Sequence, residues 1–438
     1  MKFIITFFCW LFLYHHPLIG QTVTVGQPLP AWQKGWLDIH HINTGRGSSA
    51  FFIFPDATTM LIDAGELSPM DKRTFSLRNA PITPDSSKKP FEWIAHYIKK
   101  VFPEKRKVLI DYVLITHFHD DHFGAWYPSA PVASTGNYVL TGITGVAGLI
   151  PIGHLIDRGY PDYNYPYNIR RMASQYGGGE IKFGETMRNY FTFLGEQERK
   201  GMKASQLKAG SRSQIRLLQD AGSYPTFYVQ NLKANDKIWS GKDSSVVAHF
   251  PPVDTSDSKT WPDENSLSLA LTVHYGPFTY YTGGDNPGNI FPGDNPLRDV
   301  ETPMARATGE VDVATMDHHG NRDAVNEFQV KTLKPRIWIG QTWSSDHPGH
   351  EVLVRAASQH LYKGDRDFFA TNMLEANRLV IGPLIDRSYK SQQGHIVIRV
   401  EPGGEKYRVI ILDDSRADMP VKGVFGPYES KKTKNKNN

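Results

Sequence analysis

Cysteine is nearly missing from this chain. Among 438 residues only Cys9 is present, inside an apolar stretch close to the N-terminus. With that stretch removed, disulfide bracing and thiol catalysis are excluded, and any metal site has to use nitrogen and oxygen donors. Long apolar runs are scarce as well. "FIITFFCWLFLY" follows Met1-Lys2 and leads through His15-His16-Pro17 to the small-residue exit "LIGQ". About a dozen residues are too few to span a bilayer, and the positive-then-apolar order is that of a secretory signal. The expectation is a signal peptide over residues 1–20, cut near Gly20/Gln21, a periplasmic or secreted product and no membrane span in the mature chain.

Net charge is a modest +4, part of it from the terminal "ESKKTKNKNN", so residues 428–438 read as a disordered basic tail. Nucleic acid stays open as a partner without support from charge. No internal repeat occurs, and no low-complexity segment outside the tail. What is present, 39% hydrophobic and 12% aromatic residues, suffices for a sizeable core. The length exceeds the common single-domain size. We read one large domain over 21–427, with an insertion at about 160–260.

"WLDIHHIN" and "AFFIFPDATTMLIDAG" read as two early strands joined by the glycine turn "TGRGSS". "KPFEWIAHYIKKVF" has helical apolar spacing, and "KVLIDYVLIT" is a continuous apolar run of the buried-sheet kind. "TGITGVAGLI" reads as a helix, "GHLIDRGY" as a strand and 183–220 as mainly helical. "TFYVQNL", "SLSLALTVHY", "FTYYTGG", "VDVATMD", "RIWIGQT" and the hairpin "GHIVIRVEPGGEKYRVIIL" add strands, with "EVLVRAASQHLY" as a helix. Strands followed by helices in both halves imply sheets covered by helices, an α/β layered architecture.

Straight after the run "VLIDYVLI" comes "THFHDDH", with His117, His119, Asp120, Asp121 and His122 in six positions. Two histidines two apart on an extended segment point the same way and can share an ion. Asp121 and His122 stand where a second ion could be held. Functional groups collect beyond the carboxyl ends of strands in such sheets. Two more strand ends obey that rule: "FTYYTGGDN" delivers Asp285, and "VDVATMDHHGN" delivers His318 and His319. An aspartate able to bridge two cations, plus one more imidazole, completes most of a two-metal site.

These motifs resemble the metallo-β-lactamase superfamily. Its signature stands here as His117-Phe118-His119-Asp120-Asp121-His122, its bridging aspartate matches Asp285, and its final histidine matches one of His318 and His319, His319 being favoured as the ligand. Its early aspartate, which supports the metal loop, matches Asp63 in "LIDAG". The resemblance implies a four-layer αββα sandwich, here with helical and loop insertions. Within the superfamily the chain is most similar to the hydrolase domain of ComEC-type competence proteins, through Gly45-Arg46-Gly47-Ser48-Ser49, Asn265-Ser266-Leu267, the His-His-Gly element and His347-Pro348. Two departures stand out. A third histidine for the first ion would come before the bridging-aspartate hairpin, where this chain reads "WPDENSLS", leaving Glu264 or water to fill the place; and the second signature ligand is His119, where ComEC-type proteins often carry aspartate.

The chemistry implied is metal-activated water attacking phosphorus or a carbonyl, with two zinc ions expected and manganese or iron as alternatives. Asp121 and Asp120 are the catalytic candidates, Asp120 orienting the water or the loop. Arg322 could clamp a phosphate and His347 touch substrate. The leading expectation is an exported hydrolase of phosphodiester-type substrates, a small molecule or a polymer. Alternatives are an esterase, lactonase or β-lactamase on the same fold, or a mono-iron dioxygenase, against which the lack of the third histidine argues.

Overall fold

The computed structural model describes residues 22–175, 182–254, 257, 260–288, 293 and 295–431. The expected signal, residues 1–20, lies outside them, as does the tail from 432. The first half contributes strands β1 (Leu37–His41), β2 (Ala50–Ile53), β3 (Thr59–Ile62), β4 (Ile110–Leu114), β5 (Ile152–Asp157) and β6 (Lys203–Gln206). Its helices are α1 (Pro90–Val101), α2 (Asp120–Phe123), α3 (Gly142–Leu149), α4 (Ile169–Gln175) and α5 (Phe183–Arg199). β7 (Phe227–Ala234), β8 (Lys237–Trp239), β9 (Val246–Ala248), β10 (Ala270–Tyr275), β11 (Phe278–Thr282), β12 (Val313–Thr315), β13 (Ile337–Gly340), β14 (Asp367–Ala370) and β15 (Tyr389–Ser391) follow. Between them run α6 (Glu301–Thr308), α7 (Glu327–Leu333), α8 (His350–Ala357), α9 (Glu375–Ile381) and α10 (Pro383–Ser388). The described chain ends with β16 (His395–Val400), β17 (Lys406–Leu412) and β18 (Val421–Glu429).

The strands form two nine-stranded mixed sheets, ordered β18-β17-β16-β1-β2-β3-β4-β5-β6 and β15-β14-β13-β12-β11-β10-β7-β8-β9. Side chains alternate across a strand, and here both faces are apolar, which is why these runs read as continuous. Phe52, Ile62 and Leu114 of the first sheet meet Leu271, Tyr280 and Ile339 of the second in a shared core. Phe51, Leu61 and Val113 point the other way, onto Ile94 and Ile98 of α1, Val146 of α3 and Tyr190 of α5. Tyr281, Ala314 and Trp338 pack onto Met304 of α6, Val330 of α7 and Leu353 of α8. The result is the expected four-layer sandwich, helix on sheet on sheet on helix. No helix among the described residues is long and apolar enough to cross a membrane.

Several boundaries differ from the sequence reading. "AFFIFPDATTMLIDAG" is two strands: Phe54 to Thr58 turns tightly, with Ala57 at φ 75° and the Asp56 carboxylate accepting from Thr58 N–H at 2.9 Å. Residues 200–220 are not helical, because Lys203–Gln206 pairs in parallel with β5 as the edge of the first sheet. The 160–260 stretch supplies that edge and β7 to β9 of the second sheet, so it is built into both layers. β18 continues to Glu429, and Lys431 N–H donates to Asp312 at 2.7 Å, past the expected start of the tail.

One buried ion pair ties the N-terminal strand to the C-terminal hairpin. Arg399 donates to Asp38 at 2.6 Å, with both side chains almost fully buried. Burial alone would raise the Asp38 pKa; Arg399 and then His40 more than offset it and hold the carboxyl down from 3.8 to about 2. A depressed carboxylate stabilises the fold above its unfolded pKa and loses that contribution as pH falls through the folded one. Acidification from about pH 4 to about pH 2 should therefore cost about 2 kcal/mol through this group. Urea unfolding followed against pH should show the loss, and Asp38→Asn should abolish that part of the slope; an unchanged slope removes Asp38 from the acid transition.

Candidate metal centre

The sequence motifs sit where parallel strands end. After β4 the chain leaves the sheet through Thr116 into the single turn of α2. Asp63, just beyond β3, holds this loop by accepting from Thr116 N–H at 2.8 Å, Thr116 Oγ1 at 2.7 Å and His122 Nδ1 at 2.7 Å. With Nδ1–H committed to Asp63, the His122 Nε2 lone pair faces inward. The glycine turn backs the loop directly. Ser48 N–H donates to the Asp121 carbonyl at 2.8 Å, and a Cβ on Gly47 or Gly65 would lie 2.3 or 2.0 Å from that same oxygen. Only glycine lets the backbones approach so closely.

The Asp120 carboxylate accepts from Ser68 N–H at 2.6 Å, and burial, then Asp121, raises its pKa to about 6. Of the two uses expected of Asp120, orienting the water or the loop, this bond is of the second kind, and it takes one carboxylate oxygen, Oδ2.

Asp121, His122, Asp285 and His319, all buried, bring donor atoms within 4.8 Å of one another. His319 Nε2 lies 3.0 Å from Asp121 Oδ2, 3.3 Å from His122 Nε2 and 3.4 Å from Asp285 Oδ2. Asp285 Oδ1 is 3.1 Å from His122 Nε2. Its Oδ2 also stands 3.8 Å from His117 Nε2 and 3.8 Å from His318 Nε2. His117 Nε2 in turn is 3.1 Å from His119 Nδ1. The structure thus gathers His117, Asp121, His122, His318 and His319 around Asp285, with His119 beside His117.

His318 and His319 follow β12 in the left-handed region, at φ 47° and 56°. Non-glycine residues there are strained by about 1–2 kcal/mol each, and such strain concentrates at functional sites. Asp317 anchors the turn from below, accepting from Tyr281 Oη at 2.8 Å and Gln329 Nε2 at 2.7 Å; burial raises its pKa to about 8. His319 Nδ1 meets the Gln341 carbonyl at 2.9 Å, which directs Nε2 to the cluster.

The electrostatics are those of a site that attracts positive charge. Burial disfavours a charged imidazole, yet Asp285, Asp121 and Asp63 lift His122 well above its usual 6.5, and Asp285 and Asp121 lift His319 to about 9. Burial would raise Asp285, but His122, His319 and His318 draw it well below 3.8. His117 is driven down, by burial first and His122 next, to the neutral imidazole a metal takes. Converging nitrogen and oxygen donors, two of them from buried carboxylates, fit a divalent ion. The cluster is compatible with a metal site.

Three expectations change. Glu264, expected to fill the place of the missing histidine, is engaged elsewhere: its oxygens bind Arg158 at 2.7 and 2.5 Å, and it accepts from Phe118 N–H at 2.8 Å. Arg322 is two-thirds exposed and faces Glu351 at 3.8 Å, outside the cluster. His347 is buried and stacks on the His319 ring at 4.8 Å, so it backs that ring and does not line a substrate surface. Sequence reasoning also missed Arg158, Asp323 and the Gln341 carbonyl. A basic residue at the end of the apolar strand "GHLID" was the available signal for Arg158; Asp323, five residues past His318, had none beyond proximity.

No family model matches the chain, and no curated protein does. Among solved structures it is similar to the metallo-beta-lactamase fold protein YhfI from Bacillus subtilis, with 11% identity over 82% of this chain and 95% of that one and a TM-score of 0.30. It is also similar to Zn(2+)-bound PqqB from Methylobacterium extorquens, with 10% identity over 80% of this chain and 86% of that one and a TM-score of 0.30.

Proposed function

We propose that this chain is an exported metal-dependent hydrolase that acts on phosphodiester-type substrates through two divalent ions, zinc in first place. The observation that carries the reading is the packing of Asp121, His122, Asp285 and His319 within 4.8 Å, with His117 and His119 beside them. His117 and His119 would hold one ion, Asp121, His122 and His319 the other, with Asp285 between them. Such ions supply a bound water whose pKa falls from about 15.7 to about 7 and polarise the group under attack. The chain's own part is to orient the donors. Asp63 and the Gln341 carbonyl fix the tautomers of His122 and His319, and Ser48, Gly47 and Gly65 hold the Asp121 backbone.

His119 and His318 are only partly buried while Asp285 and His319 are closed off, so substrate is read as arriving on the side of the first ion. The phosphodiester class and the ComEC-type link are supported by the Gly-Arg-Gly-Ser-Ser, Asn-Ser-Leu and His-His-Gly elements. Export is supported by Lys2 and the short apolar stretch after it, and one domain over 21–427 by the two sheets it builds.

The test is the chain expressed from Gln21, analysed for metals and assayed on bis(p-nitrophenyl) phosphate with added zinc or manganese. About two equivalents of metal and chelator-sensitive turnover are expected. Turnover only of a chromogenic cephalosporin or ester would move the substrate to that class. One equivalent of iron would replace hydrolysis by dioxygen chemistry.

A further inference from the structure

Resting on that two-ion reading, we propose that the two adjacent histidines serve different ions, His319 the inner one and His318 the outer one, so that His318 is the third nitrogen that the "WPDENSLS" segment fails to supply. Donor atoms around a tetrahedral ion with bonds of about 2.0–2.1 Å stand about 3.3 Å apart. His319 Nε2 comes near that spacing with Asp121, at 3.0 Å, and with His122, at 3.3 Å. His318 Nε2 shows no contact with either of those residues. It lies 3.8 Å from Asp285 Oδ2, as does His117 Nε2, while His319 Nε2 is nearer that oxygen at 3.4 Å.

Neighbouring residues on regular backbone do not ordinarily aim at two adjoining points. Here both are left-handed, and the rings part, with centroids 6.1 Å apart and planes at 57°. The outward imidazole is also prepared as a ligand. His318 Nδ1 is 2.6 Å from Asp323 Oδ1, the carboxylate–histidine pairing that fixes the tautomer and directs Nε2 inward. That nitrogen meets Asn265 Nδ2 at 3.2 Å, in the segment where the absent histidine would have stood. Glu264, the other candidate for the place, is spent on Arg158 and the Phe118 N–H. Two strained left-handed residues are thereby explained by a ligand to each ion.

Zinc content after equilibration with buffered zinc tests this without reference to turnover. The wild-type chain should hold two equivalents, His318→Ala one, and His119→Ala/His318→Ala still one, because both changes strike the same ion. His119→Ala/His319→Ala should hold none. Two equivalents in His318→Ala, or none in His119→Ala/His318→Ala, overturns the assignment while leaving the two-ion reading intact. Fewer than two in the wild-type chain overturns that reading instead, and this inference with it. Should the alanine variants misfold, Asp323→Asn leaves the imidazole in place and should weaken the outer zinc by about 10–100-fold. Unchanged affinity there also overturns the assignment.

Discussion

Asp121→Ala should lose at least about 100-fold in turnover and hold less metal, while the protein stays folded. A displaced supporting partner already costs up to that factor, and Asp121 is read as a donor itself. Its Oδ2 is 3.0 Å from His319 Nε2 and 3.5 Å from His122 Nε2, so its removal opens one side of the inner cluster. The remaining donors are left with Asp285 as their only central carboxylate. Folding is expected to survive because the anchor of this turn is the Asp121 carbonyl, held by Ser48 N–H, which alanine retains. The variant also takes a partner from the raised His122 and His319 imidazoles, so its thermal midpoint without metal should fall. Metal analysis, turnover and circular dichroism on one preparation check all three expectations. Full activity in this variant ends every catalytic reading of the cluster.

How much of this was legible beforehand depends on how local each feature is. The ligand motif lies within six residues, and Asp285 and His318-His319 each follow a β-rich run, so strand ends and residue type were enough to find them. The layered architecture was legible for the same reason, as strand-length apolar runs alternate with amphipathic stretches. Separating β2 from β3 was not, because "AFFIFPDATTMLI" is apolar on both faces and its turn at Phe54 to Thr58 lacks glycine. Short strands such as β14, β15 and the edge strand β6 carry too few residues for periodicity to register. Roles that depend on distant partners were hidden altogether. Nothing in "HHGNRD" tells a ligand from a packed ring until Gln341 and Asp323 are seen on their two Nδ1 atoms. The surroundings of His347 and Arg322 were hidden for the same reason, since a histidine or arginine near a site looks the same in sequence whichever way it faces.

Glu264 gives the second large effect, and the contrast between two of its variants separates structure from ligation. The Arg158 side chain is fully buried, 4.7 Å over the Phe118 ring, and its compensating charge comes from a glutamate 106 positions away. Glu264→Ala would strand that guanidinium and also free the Phe118 N–H inside the ligand loop. Breaking a buried pair from one side costs about 3–5 kcal/mol, which urea unfolding would register. Replacing both partners by apolar residues, as in Arg158→Met/Glu264→Leu, should recover more than half of the loss, because no charge then remains to be solvated. Glu264→Gln keeps an oxygen for the Phe118 N–H and for Arg158, so it should be milder than alanine and leave zinc content at two equivalents. If glutamine instead removes one equivalent while stability holds, Glu264 is itself a donor to the outer ion, and His318 loses its claim to that place. Stability and metal content therefore move independently at this one position, and together they decide which residue occupies the third site.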